Sequence, residues 1–238
     1  MSPRMMRVTL AGKELAGFAV DRPGASVRLL LPSPGTTELV IPRWHDNEFL
    51  LPDRTRAVLR TFTPRRVDAD HLELDLDVVL HGRGVASEWA ATTQPGDPAA
   101  ISGPGRGYEI DVTASNFVVA GDESAIPAIT QVIEALPAHA RATVVIEVAR
   151  PDARISLPDR PGVTTTWHDL SAGAPPGDAL VPAVCAVGID ADTRVWAAGE
   201  AAAVQRIRRH MFTELEVPRG RCTIRGYWKH GRGGDIDA

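Results

Sequence analysis

The hydrophobic period of this chain changes once, near residue 105, and that change limits the possible folds more than any other feature. Before it, short apolar runs are separated by proline and glycine. Val27-Arg28-Leu29-Leu30-Leu31 lies between one Pro-Gly pair and a Pro-Ser-Pro-Gly stretch. Residues 72–80 begin with strict alternation and end apolar, the pattern of a strand entering a buried region. Such spacing predicts several short antiparallel strands in a closed barrel or a sandwich. After residue 107 the pattern predicts strands at 116–120, 143–148, 162–167, 194–199 and 222–227. Helices are expected between them: one through Ile126, Ile129, Val132, Ile133 and Leu136, one over 176–187, and one over about 200–215. Strands alternating with helices form βαβ units and a mainly parallel sheet. Breakers concentrate at Gly103-Pro104-Gly105-Arg106-Gly107. The expectation is therefore an antiparallel β-barrel or sandwich in residues 1–107 followed by a parallel-sheet α/β domain in residues 108–238.

Composition narrows the chemistry. Apolar residues make up 44% and charged residues 24% of 238, which excludes a disordered chain and leaves ample material for a core. No apolar run approaches the length of about 18 residues that a membrane helix needs, and the first residues lack an apolar signal core. A cytoplasmic protein without a membrane span is expected. Cys185 and Cys222 show no metal-ligand spacing and read as reduced, packed thiols. The net charge of -4 hides an asymmetry: residues 204–232 hold eight Arg and Lys against two Glu, so this stretch carries +6 and the rest -10. With the whole chain acidic, this stretch reads as a local site for a small anion, not for nucleic acid. There is no cluster of metal ligands, no Gly-x-Ser-x-Gly elbow and no Walker loop. Redox chemistry on a bound cofactor is left, with no residue of the chain as a covalent catalyst and no metal site.

Two motifs suit such a cofactor. Arg60-Thr61-Phe62-Thr63-Pro64-Arg65 places a guanidinium fork beside an aromatic wall, the pair needed by a diphosphate joined to a flat ring system. His81-Gly82-Arg83-Gly84-Val85-Ala86-Ser87-Glu88-Trp89-Ala90 follows the 72–80 strand. It offers glycines for close backbone approach and a helix start whose N–H groups can hold phosphate. His81 has two readings, a hydrogen-bonded turn histidine or a cofactor contact, and Trp89 either packs its helix or touches the cofactor ring. In the second half Asp122 either caps the following helix or stands at the carboxyl end of a parallel strand, where nucleotides bind. Glu200 occupies the corresponding turn of a later strand.

The first motif resembles the Arg-x-Tyr-Thr element of the ferredoxin–NADP reductase superfamily, with Phe62 in place of the usual Tyr. The two motifs in order resemble the siderophore-interacting protein family. So do Gln94-Pro95-Gly96-Asp97, Ile101-Ser102-Gly103-Pro104, the run from Ala120 through Gly121-Asp122-Glu123-Ser124 to Ala128, Trp196-Ala197-Ala198-Gly199-Glu200-Ala201, and Arg225-Gly226-Tyr227-Trp228-Lys229. The resemblance implies an FAD-binding barrel, then an NAD(P)H-binding-like α/β domain. It implies reduction of Fe(III) in a ferric siderophore by FAD with NADPH or NADH as donor, or with reduced ferredoxin, by a monomer. Arg60, Phe62, Thr63, His81, Ser87 and Ala90 are then expected around FAD. Asp122, Glu123 and Glu200 are expected towards the nicotinamide, and Trp228 over the flavin ring or as an exposed anchor. By charge, Arg225, Lys229 and Arg232 are the candidates for an anionic chelate. Two other readings stay open: a general NAD(P)H:flavin or ferric reductase with another acceptor, and a flavin-free siderophore carrier.

Overall fold

A computed structural model describes residues 1–33, 35–82 and 84–231. Arg232, one of the chelate candidates, lies outside the described residues. The chain divides into two compact units: Met5–Asp21 with Ala25–Arg106, and Met1–Arg4 and Arg22–Gly24 with the chain from Gly107 onward.

The first unit is antiparallel. Its strands are β1 (Met5–Ala11), β2 (Val27–Leu31), β3 (Arg43–His45), β4 (Glu48–Leu50), β5 (Val58–Phe62), β6 (Pro64–Asp68), β7 (Glu73–Val79) and β8 (Ala100–Ser102), with helix α1 (Val85–Thr92) between the last two. They form the sheets β1-β7-β6, β5-β2-β8 and β3-β4. Val27, Leu29, Leu31, Leu74 and Leu76 bury their side chains in one core, the inward set that alternation specifies. Strand β7 starts one residue later than the pattern suggests, because Leu72 closes the preceding turn with φ at 54°.

The second unit holds β9 (Asn116–Asp122), α2 (Ile126–Ala135), β10 (Arg141–Val148), β11 (Val163–Asp169), α3 (Leu180–Cys185), β12 (Thr193–Glu200), α4 (Ala201–Arg209) and β13 (Cys222–Trp228). The sheet order is β11-β10-β9-β12-β13, and every neighbour is parallel. The expected fold class is thus observed: antiparallel β structure followed by a parallel α/β sheet. Val118, Ala120, Val195 and Ala197 pack on one face with Leu180, Val184, Val204 and Ile207 from α3 and α4. On the other face Gly121 leaves room for α2, since a Cβ there would come within 2.6 Å of the Ala125 Cβ and 3.3 Å of Ile129 Cδ1.

Two helices differ from expectation. The 176–187 helix shrinks to Leu180–Cys185. The carboxylate of Glu147, 3% exposed, accepts from the N–H groups of Gly177, Ala179 and Leu180 at 2.8–2.9 Å, so the segment before α3 bends around it. The 200–215 helix is regular to Arg209 and widens into a π-helical turn over His210–Glu214. Cys185 and Cys222 are free thiols packed against the α3–α4 core, and burial raises both pKa values.

Candidate functional site

In the first unit, β5 pairs with β2 so that Phe62 faces Val27 and Arg60 faces Leu29. Arg60 and Phe62 therefore share one face of this edge strand. Phe62 is half-buried against the Val27–Leu76 core. The Arg60 Nη1 donates to the carbonyl of Leu59 at 2.7 Å, and no carboxylate among the described residues pairs with that guanidinium. Thr63 follows, buried at the β5–β6 corner. The 81–90 segment packs on the same core through Val85, Ala86 and Trp89. His81 is exposed, and its backbone N–H donates to Ser87 Oγ at 3.2 Å, which ties the loop to the first turn of α1. Ser87 and Ala90 are buried, so the Ala90 methyl is not exposed to a ligand.

Several features fit the diphosphate and ring of FAD. The first intrahelical bond of α1 runs from Glu88 N to Gly84 O, which leaves the N–H groups of its first turn without helical acceptors. Gly82 and Gly84 take φ of 72° and 83°, and a Cβ added at Gly82 would meet nothing within 4 Å. The cradle is open on that side. Trp89 Nε1 is a buried donor without an acceptor among the described residues. A cation free of carboxylates, helix-start N–H groups and an aromatic ring on the same core suit the cofactor.

In the second unit the carboxyl ends of the central strands meet in one hydrogen-bonded cluster. Asp122, at the end of β9, is buried. Its Oδ1 accepts from Ser124 N at 2.9 Å and Ser124 Oγ at 2.5 Å. Its Oδ2 accepts from Glu200 N and from Trp228 Nε1, both at 2.8 Å. Asp122 and Trp228 stand on strands separated by β12, about 10 Å apart at ordinary strand spacing. Gly199 makes the reach possible: with φ at 149°, a Cβ there would lie 2.6 Å from Asp122 Oδ2. Burial pushes the Asp122 carboxyl above its ordinary pKa, against the opposing effect of its donors.

Glu200 caps α4 through Ala202 N and Ala203 N, and its other oxygen accepts from His230 N at 3.2 Å. The chain after Trp228 is thereby held to the start of α4. Glu123 is not part of this cluster. Its carboxylate pairs with Arg4 at 3.0 Å and accepts from Ala149 N, beyond the end of β10. Arg225 is half-buried and donates to the carbonyl of Gly107 at 3.4 Å, whereas Lys229 is exposed.

Sequence reasoning did not find Glu147, the Arg4–Glu123 pair or the Asp122–Trp228 bond. A glycine between small residues at a strand end, as in Ala197-Ala198-Gly199-Glu200, was the one available signal for a carboxylate crossing that strand. Among the described residues no group of three or more His, Cys, Asp or Glu could hold a metal.

The order of the two units along the chain, antiparallel β structure and then a parallel α/β sheet, is also found in solved reductases. Phthalate dioxygenase reductase shares this fold at 15% identity, with a TM-score of 0.60 over 96% of this chain and 64% of that one. The model described as the siderophore-interacting FAD-binding domain matches residues 1–108, and that of siderophore-interacting protein matches residues 114–231. The crystal structure of a siderophore utilization protein from T. fusca is 36% identical, with a TM-score of 0.86 over 98% of this chain and 90% of its own. The chain belongs to the siderophore-interacting protein family. It is 29% identical to the ferric vibriobactin reductase ViuB of Vibrio cholerae, over 98% of this chain and 86% of ViuB. It is 27% identical to an NADPH-dependent ferric-chelate reductase of Escherichia coli, over 96% of this chain and 88% of that protein. No helix among the described residues is long and apolar enough to cross a membrane.

Proposed function

We propose that the protein is an FAD-dependent reductase that converts Fe(III) in siderophore complexes to Fe(II), with NADPH or NADH as donor. The observation that supports this most is the cradle of the first unit, a guanidinium without a carboxylate partner among the described residues and an open glycine-lined helix start on one core, in a chain of this family. The names of the Vibrio cholerae and Escherichia coli relatives support iron as the acceptor. Residues 1–107 carry FAD and residues 108–238 present the nicotinamide donor.

Arg60 neutralises the pyrophosphate together with the N–H groups at the start of α1. Phe62 walls the ring by stacking without a phenolic hydrogen bond, and Thr63 and His81 border it. Ser87 fixes the loop by accepting from His81 N. Bound FAD would supply a carrier able to take two electrons together as hydride and to give them up singly, so that each NAD(P)H would yield NAD(P)+, a proton and two Fe(II). In the second unit Asp122 holds the Trp228 indole in place, and Glu200 holds the chain beyond it. Lys229 and Arg225 give this end a positive charge that favours anionic chelates, while the candidate Arg232 lies outside the described residues.

The test is to purify the protein, record its visible spectrum, and follow Fe(II) with a chromogenic chelator after adding NADPH and a ferric siderophore. Flavin absorption and iron release that require FAD support the proposal. A colourless protein that FAD does not reconstitute refutes it and favours a carrier.

A further inference from the structure

A second cluster of cations stands away from the carboxyl-end site. A groove of about 650 Å³ lies against the outer part of α4, floored by Cys222 and Ile224 of β13 and walled by Arg208, Arg209, Arg219 and Phe212. That volume is within the range of about 300–1,000 Å³ typical of small-molecule sites. Cys222 opens β13 and Trp228 closes it, so six residues of strand, about 20 Å, separate the groove floor from the Asp122–Trp228 cluster. The groove is therefore at the amino end of the sheet's edge strand, opposite to the end where a parallel sheet takes its nucleotide.

Its chemistry is specific. Among the described residues no carboxylate stands in its wall. Arg208 is oriented by donating to the carbonyl of Ile224. Arg219 lies over the Phe212 ring, 5.0 Å from its centroid, which fixes a flat cationic plate. Arg209 is 79% exposed, and its closest carboxylate, Glu214, is 4.0 Å away. Guanidinium forks match phosphate oxygens two at a time, and a stacked guanidinium also offers its face to a planar ring. Gln205 and Thr213 complete the wall with neutral donors and acceptors suited to a base or ribose edge.

We propose that this groove binds a nucleoside phosphate, with its phosphates on Arg208 and Arg209 and its base on the Arg219–Phe212 plate. It is a ligand site separate from the flavin and nicotinamide sites.

The test uses FAD-loaded protein and ADP as the probe, titrated by calorimetry, with alkylation of the two cysteines as a footprint. ADP is expected to bind, to slow alkylation of Cys222 and to leave Cys185 unchanged. The double change Arg209→Glu, Arg219→Glu is expected to weaken ADP by about tenfold or more while the flavin spectrum is kept. Adenosine and pyrophosphate are each expected to bind more weakly than ADP. Absence of ADP binding, or binding that neither shields Cys222 nor responds to the charge reversal, overturns the proposal. Pyrophosphate binding as tightly as ADP overturns the assignment of a nucleoside.

Discussion

Replacing Asp122 by alanine tests the cluster that closes the carboxyl end of the sheet. The substitution removes the acceptor of Ser124 N, Glu200 N and Trp228 Nε1 together. A buried donor left unpaired costs about 1–3 kcal/mol. Trp228 is half-buried and can turn its N–H to water, so the two backbone groups dominate, at about 2–6 kcal/mol in all. The pH dependence has a definite sign. Burial raises the folded-state pKa of Asp122 above its ordinary 3.8. Ionisation therefore costs more in the folded state than in the unfolded one. The contribution of Asp122 is fully present below the unfolded value and is lost as pH rises through the folded value. Urea unfolding of the wild type and Asp122→Ala, followed by tryptophan fluorescence from about pH 4 to pH 8, measures the difference. The gap between the proteins should be largest at the acid end and narrow with rising pH. A gap below about 0.5 kcal/mol throughout, less than one buried hydrogen bond, or a gap that widens with pH, refutes the reasoning.

Substitutions at three further positions test the proposed roles. Arg60→Ala removes a charge-assisted contact worth roughly 1.5–3 kcal/mol and should weaken FAD by about tenfold to a hundredfold, read by fluorescence titration of the flavin-free protein. Phe62→Tyr should keep flavin content and spectrum while Phe62→Ala loses flavin or shifts its bands; wild-type flavin in the Ala variant makes Phe62 a packing residue only. Lys229→Glu should slow reduction of anionic ferric chelates more than that of a neutral one, with the difference shrinking in salt as screening shortens to about 3 Å at 1 M. Equal slowing of both acceptors counts against a recognition role.

Much of the fold was legible because it rests on local periodicity. The runs through Val118, Val145 and Ala197 are apolar on both faces, as central parallel strands must be, and all three form strands β9, β10 and β12. The hairpin Arg43–His45 with Glu48–Leu50 was not legible, since its strands bury no side chain and so imprint no alternation. Glu147 was hidden for another reason. Within Val144-Val145-Ile146-Glu147-Val148 it reads as an interruption of a strand, and its partners come from a loop some 30 residues later. The same holds at the candidate site. The proposed flavin cradle is built from two continuous motifs, so each of its candidate residues stands in a local pattern. The Asp122–Trp228 bond spans 106 residues and depends on β12 inserting between their strands with Gly199 at the crossing. Strand order is a property of the assembled sheet, and no local pattern encodes it.

The central claim is that electrons pass from nicotinamide through bound FAD to chelated iron. An anaerobic stopped-flow experiment tests it directly: the FAD-loaded protein is bleached with one equivalent of NADPH, then mixed with a ferric siderophore or with its gallium(III) complex, which has the same shape but accepts no electron. The account predicts that the flavin absorption returns with the ferric complex, two Fe(II) appearing per flavin, and stays bleached with gallium. Flavin that remains bleached in the presence of the ferric siderophore contradicts it.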